Sequence, residues 1–128
     1  MRDDIVLLIG RLLLAWIFLH EGAFLLLNYS ASSAGIAKMG TPAIALAPVI
    51  VLQLAAGLSV AVGFYTRCGA LALGLFCLAT AVLFHSNFAV RNELLHFEKD
   101  IAIAGGMFVL VVSGSGRWSF DGWRRAEA

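Results

Sequence analysis

Apolar residues run along the chain in four long blocks, at 5–27, 43–63, 69–85 and 94–112, with short polar stretches between them. Each block approaches the roughly twenty residues that a helix needs to cross the hydrocarbon of a bilayer. The intervening stretches have turn chemistry: "NYSASSAGIAKMGTP", "GFYTRCG" and "HSNFAVRNE" are rich in Gly, Asn, Ser and Pro. Pro42 suits the first turn of the second helix, whereas Pro48 lies inside it and is expected to kink or loosen it. Small residues spaced four apart, Gly57/Ala61, Ala70/Gly74 and Ala102/Gly106, are expected to form packing seams.

The pattern predicts an all-α protein, a single domain over residues 1–128, built as an integral membrane four-helix bundle with up-down-up-down topology. Composition agrees: 61% of residues are hydrophobic and 13% charged, with a mean hydropathy of +0.91. A water-soluble domain of this length cannot hide that much apolar surface. Asp3 and Asp4 spoil a basic leader, so the first block is expected to be a span rather than a signal peptide. A net charge of +1 offers no basic field for nucleic acid. Cys68 and Cys77, nine residues apart on one helix, form neither a redox pair nor half of a zinc site and are expected to be buried small residues.

Lys and Arg are unevenly divided between the two ends of the bundle. Arg2, Arg67, Arg117, Arg124 and Arg125 fall at the end that holds the termini, against Lys38, Arg91 and Lys99 at the other. Both termini are therefore expected to face the cytoplasm, in a multi-pass protein of a bacterial inner membrane. The tail "GRWSFDGWRRAEA" reads as an interfacial anchor. Arg11 is expected to snorkel toward the headgroups.

The same topology gathers the unusual polar residues at the opposite end. His20 and Glu21 share a level with His85, Asn87, His96, Lys99 and Asp100, and Gln53, in the middle of the second span, is expected to complete the floor of the pocket. Charged groups inside a membrane are costly and are tolerated mainly when paired or wetted within the bundle. His96, Lys99 and Asp100, at i, i+3 and i+4, occupy one helical face with Glu98 turned away. Lys99 is expected to pair with Glu21 or Asp100. The ligand-binding or proton-handling residues expected from this reading are His20, Glu21, Gln53, His85, Lys99 and Asp100; Trp16, Phe18, Phe24, Asn87 and His96 would line the pocket around them.

Four segments carry a resemblance: "MGTP" (residues 39–42), "GFYTR" (63–67), "LFHSNF" (83–88) and "GSGRWSFD" (114–121). With the apolar runs between them, from Gly10 onward, they resemble the DoxX family of small four-span membrane proteins, in particular its YphA-like branch. The chain departs from that pattern in having Gln53 in place of a Glu, Asp100 in place of an Asn, and Glu21 in place of a small or apolar residue. An intramembrane carboxylate would thus have moved between helices.

The resemblance implies a membrane component of a redox, sulfur-oxidation or oxidative-stress system, with a quinone or another amphiphile as ligand and a soluble redox protein or a second copy of the chain as partner. No catalytic residue is assigned, and no covalent cofactor motif is visible. A metal centre is disfavoured: Glu93 and His96 make one Glu-x-x-His step, where a di-iron bundle uses two such steps and two further carboxylates. The alternative readings are a scaffold protein whose polar cluster fixes helix register, or a small transporter subunit.

Overall fold

The computed structural model describes residues 2–85 and 87–127, and every regular element among them is helical. Helix α1 spans Arg2–Leu27, α2 Tyr29–Lys38, α3 Leu46–Val62, α4 Thr66–Phe84, α5 Arg91–Ser113 and α6 Phe120–Glu127; a 3-10 turn, Ala43–Ala45, leads into α3. Ser86, inside the motif at 83–88, lies outside the described residues.

Among the described residues, three helices are long and apolar enough to cross a membrane: Arg2–Leu27, Ala43–Val62 and Thr66–Phe84. The sequence led us to expect four. Helix α5 has the length, at 23 residues, but its first half carries Arg91, Glu93, Glu98, Lys99 and Asp100. Helix α2 was not expected at all. Its sequence, "YSASSAGIAK", has no apolar stripe to announce it. Pro48 does not kink α3, because it stands in that helix's first turn, where a missing N–H costs no hydrogen bond.

The core runs between α1, α3, α4 and α5. Ala15 and Phe18 from α1 meet Ala56 and Val60 from α3, Ala70, Leu73 and Cys77 from α4, and Ala104, Met107 and Leu110 from α5. Close approach depends on missing side chains. A Cβ at Gly57 would press on Phe18 and Leu19 of α1, and one at Gly74 would strike Phe108 of α5. These two helical glycines therefore mark real seams, as the sequence suggested. Ala102, by contrast, is exposed. Cys68 is exposed as well, contrary to the sequence reading, while Cys77 is buried.

The end of the bundle where α3 passes into α4 is tied by two polar devices. Arg11 is 2% exposed and does not snorkel. Its guanidinium donates to the carbonyl oxygens of Ala61, Ser115 and Trp118, joining α1 to the end of α3 and to the segment between α5 and α6. A guanidinium has five donors in a rigid fork, so one side chain can serve three carbonyls that lipid could not.

The second device is Asp121. Its two carboxylate oxygens accept from the backbone N–H groups of Tyr65 and Thr66, each at 3.0 Å, at the start of α4. It thus caps a helix 55 residues away in sequence, while its own N–H donates to the Gly63 carbonyl at 2.8 Å. Gly63 closes α3 with a φ of +83°, and a Cβ there would collide with Ser119. Burial works against the charged form of Asp121, but the amides of Thr66 and Tyr65 and the charge of Arg125 outweigh it and hold the carboxyl below the usual carboxylate range.

Replacing Arg11 with Met should lower stability by about 3 kcal/mol, because three carbonyls lose a charged donor together. Arg11→Lys should recover only part of that, since a point charge cannot span the three acceptors. Chemical denaturation in detergent micelles would measure both.

Asp121→Asn should cost about 1 kcal/mol, a typical value for a lost cap. The Asp121 carboxyl titrates lower in the folded protein than in the unfolded chain. Its contribution is therefore complete above the unfolded value of about 3.9 and disappears as the pH falls through the folded value. Denaturation midpoints of wild type and Asp121→Asn should differ by a constant amount from about pH 5 upward and converge in stronger acid; a gap that instead widens toward low pH would contradict the capping role.

Candidate functional site

At the other end, the bundle encloses a cavity of about 550 Å³, within the size range of small-ligand sites. Each helix except α6 contributes to its wall or rim. Helix α1 supplies Ile17, Phe18 and Glu21; Ile36 of α2 and Met39 just after it form one side; α3 supplies Gln53. Phe76, Cys77, Thr80 and Phe84 come from α4, with His85 at its end, and α5 supplies His96, Lys99, Asp100 and Ile103.

Of the residues expected from the sequence, Glu21, Gln53, His85, Lys99, Asp100, Phe18 and His96 are brought together in this lining. Four are not. Trp16 is 67% exposed and stacks on His20, with ring centroids 5.8 Å apart. His20 is itself exposed, so this pair lies on the outer surface of α1 and not in the interior. Successive residues on a helix differ by about 100°, so Glu21, itself exposed, borders the cavity while its neighbour points away from it. Phe24, one turn beyond His20, follows the same face and is exposed. Asn87 is exposed in the connection between α4 and α5, outside the lining.

Inside the cavity the polar groups are unevenly satisfied. Gln53 is 6% exposed, and its Oε1 has no hydrogen-bond partner among the described residues. Thr80 Oγ1 lies 3.0 Å from the Cys77 carbonyl and 3.2 Å from Asp100 Oδ2, with one proton for two acceptors. His85 Nδ1 is 3.3 Å from Glu93 Oε2, and the His85 ring lies 5.0 Å from that of His96. This contact joins the end of α4 to the first turn of α5 and closes the mouth of the cavity. Lys99 does not make the expected pair: among the described residues no ion pair links it to Glu21 or Asp100.

The sequence did not point to Cys77 and Thr80 as lining residues, although their three-residue spacing puts them on one face of α4. Ile36 and Met39 were missed because α2 was missed. Among the described residues, no group of three or more His, Cys, Asp or Glu side chains has a geometry that could hold a metal ion. The histidines brought together are His85 and His96; His20 is not near them in the lining.

The DoxX family model matches residues 6–86. The inner membrane protein YqjF of Escherichia coli (strain K12) is 37% identical over 119 residues, which cover 93% of this chain and 92% of that protein. The inner membrane protein YphA of the same organism is 30% identical over 124 residues, covering 91% of this chain and 89% of that protein. No solved structure matches the chain at a significant level. The matched region takes in more than half of the chain and contains α1, α3 and α4, the three membrane-spanning helices that enclose most of the cavity. The chain belongs to the DoxX family and is an inner-membrane protein.

Proposed function

We propose that this protein is a four-span bundle that binds the polar head of a membrane amphiphile, a quinone or a lipid, in the cavity around Gln53. Helix α5 is the fourth span: its apolar half packs Ala104, Met107 and Leu110 into the core, and Lys99 and Asp100 in its charged half face the cavity. Contacts of Arg11 with Ser115 and Trp118, and of Asp4 with the Arg117 N–H, support up-down-up-down topology with both termini on one side. The excess of Lys and Arg at that side supports a cytoplasmic placement, which sets the cavity in the outer half of the bilayer.

The observation that carries this reading is the unpartnered Gln53 Oε1. A buried polar atom without a partner costs about 1–3 kcal/mol, and a packed apolar residue would fit the middle of a membrane helix without that cost. A ligand head with an O–H or N–H to donate, the quinol form of a quinone or a hydroxyl- or amine-bearing lipid, supplies the missing partner and accounts for it. The walls suit an amphiphile: Phe18, Phe76 and Phe84 with Ile17 and Ile103 can hold a ring or chain, while the polar residues take the head.

Replacing Gln53 with Leu should therefore raise the unfolding temperature of the purified protein, by the equivalent of about 1–3 kcal/mol, while removing any ligand-dependent rise. Thermal unfolding in micelles, with and without a short-tail benzoquinol or added phosphatidylethanolamine, would measure this. A saturable rise in wild type that is absent in Gln53→Leu is the expected result. A Gln53→Leu protein less stable than wild type, with no ligand shift in either, would assign Gln53 to structure.

A further inference from the structure

Several acceptors in the cavity have no donor of their own among the described residues. Gln53 Oε1 has none, and the single hydroxyl proton of Thr80 is shared between the Cys77 carbonyl and Asp100. Glu21 makes no hydrogen bond or ion pair within the described residues. Two carboxyl groups, Glu21 and Asp100, share the lining with one ammonium, Lys99, so among its acidic and basic side-chain ends the acids outnumber the lysine. His85 is engaged with Glu93 at the mouth and is not spare for these acceptors.

Each class of head meets this lining differently. A quinone carbonyl only accepts hydrogen bonds; it would match Lys99 and leave Gln53 Oε1 and both carboxylates as they are. A quaternary ammonium supplies the positive charge but no N–H. A primary ammonium supplies both the charge and three N–H donors, which Gln53 Oε1 and the carboxylate oxygens of Glu21 and Asp100 can accept. Burying a cation in such a site also requires a counter-charge close by, which Glu21 and Asp100 provide.

From this the geometry points to a hydrogen-bond-donating cationic head, a primary or secondary amine on an apolar tail, as the occupant of the cavity, with Gln53 Oε1, Asp100 and Glu21 as its acceptors. The inference rests on the cavity being an amphiphile site, as proposed above. The amine has two possible sources of the same chemistry: an aminophospholipid of the surrounding bilayer, or a free cationic amphiphile. Lys99 has a defined part. It opposes the amine electrostatically, and its stem reaches the same lining, so it sets how tightly the head is held.

Cys77 provides the readout, because it lines the cavity and is the one cysteine left when Cys68 is replaced by Ser. Alkylation of Cys77 by N-ethylmaleimide would be followed by mass spectrometry in the Cys68→Ser protein, with dodecylamine, dodecyltrimethylammonium or a short-tail benzoquinone added. Dodecylamine should protect at concentrations about tenfold or more below the trimethylated compound, the scale of a hydrogen bond to a charged group. Gln53→Leu and Glu21→Gln should reduce that advantage, and Lys99→Met should increase it. Unfolding temperatures of the same protein and ligand pairs give a second readout that does not need Cys77 to react. Nanodiscs of phosphatidylethanolamine against phosphatidylcholine separate the sources: protection by the former without added amine identifies the lipid, and protection only on adding dodecylamine identifies a free amine.

Equal effects of the primary and trimethylated heads, or an advantage that survives Gln53→Leu and Glu21→Gln, would overturn the assignment of an amine while leaving an amphiphile site. Binding of the benzoquinone that weakens in Lys99→Met, with none of dodecylamine, would do the same. No effect of any compound, or of either lipid, in both readouts would overturn the amphiphile site itself.

Discussion

The guanidinium of Arg11 is the contact on which the rest of the bundle depends. It is buried among helices that have no water to offer their last carbonyls, and it collects one carbonyl from the end of α3 and two from the segment after α5. Those carbonyls belong to chain ends that would otherwise need partners that lipid cannot supply. The consequence extends beyond one level of the bundle. By fixing the start of α1 against the ends of α3 and α5, it also fixes how far along each helix the remaining residues lie, and so which side chains meet at the other end. Asp121 does the same for α4, whose first turn it caps through Tyr65 and Thr66.

The two ends of the molecule differ in their polar chemistry. Where Arg11 and Asp121 lie, long-range contacts satisfy several backbone groups and Ser119 adds local bonds to Ser115 and to the Gly116 carbonyl, although the buried Thr66 Oγ1 has no partner among the described residues. At the cavity, Gln53 Oε1 is unmatched and Thr80 divides one proton between two acceptors. A bundle held at one end can carry an unsatisfied cavity at the other, because the cost of the cavity is local and the register of the helices does not depend on it. Function at a destabilised site supported by a rigid remainder is a common arrangement in proteins.

Much of this was legible in the sequence, and the failures share one physical cause. The apolar blocks marked α1, α3 and α4, and the gathering of Glu21, Gln53, His85, His96, Lys99 and Asp100 follows from their positions near the same ends of successive helices. Which way each helix faces was harder to read. In water, a polar face marks the outside of a helix; in lipid, the outside is as apolar as the core. Trp16 and Phe24 are large and apolar and would fit either side, so only the packing of Ala15, Phe18 and Gly22 against α3 settles the rotation and sends His20 outward. The Arg11 and Asp121 contacts were illegible for another reason: their partners are backbone groups distant in sequence, and a carbonyl leaves no mark in a list of side chains. Helix α2 lacked an apolar stripe for the same reason that it is exposed along most of its length.

The division of the cavity among helices bears on how such a site changes. Helices α1, α3 and α4, which lie almost wholly within the matched family region, supply Glu21, Gln53, Thr80 and the aromatic wall; α5, beyond that region, supplies Lys99 together with Asp100. Asp100 is held by Thr80 across the α4–α5 seam, whereas Lys99 pairs with neither carboxylate among the described residues. A change at position 99 would therefore alter the charge of the cavity without breaking a contact that holds the helices together, whereas a change at Asp100 would disturb both. On the proposed reading, head preference would shift through α5 while α1, α3 and α4 keep the fold, and the residue on which that shift would turn is Lys99.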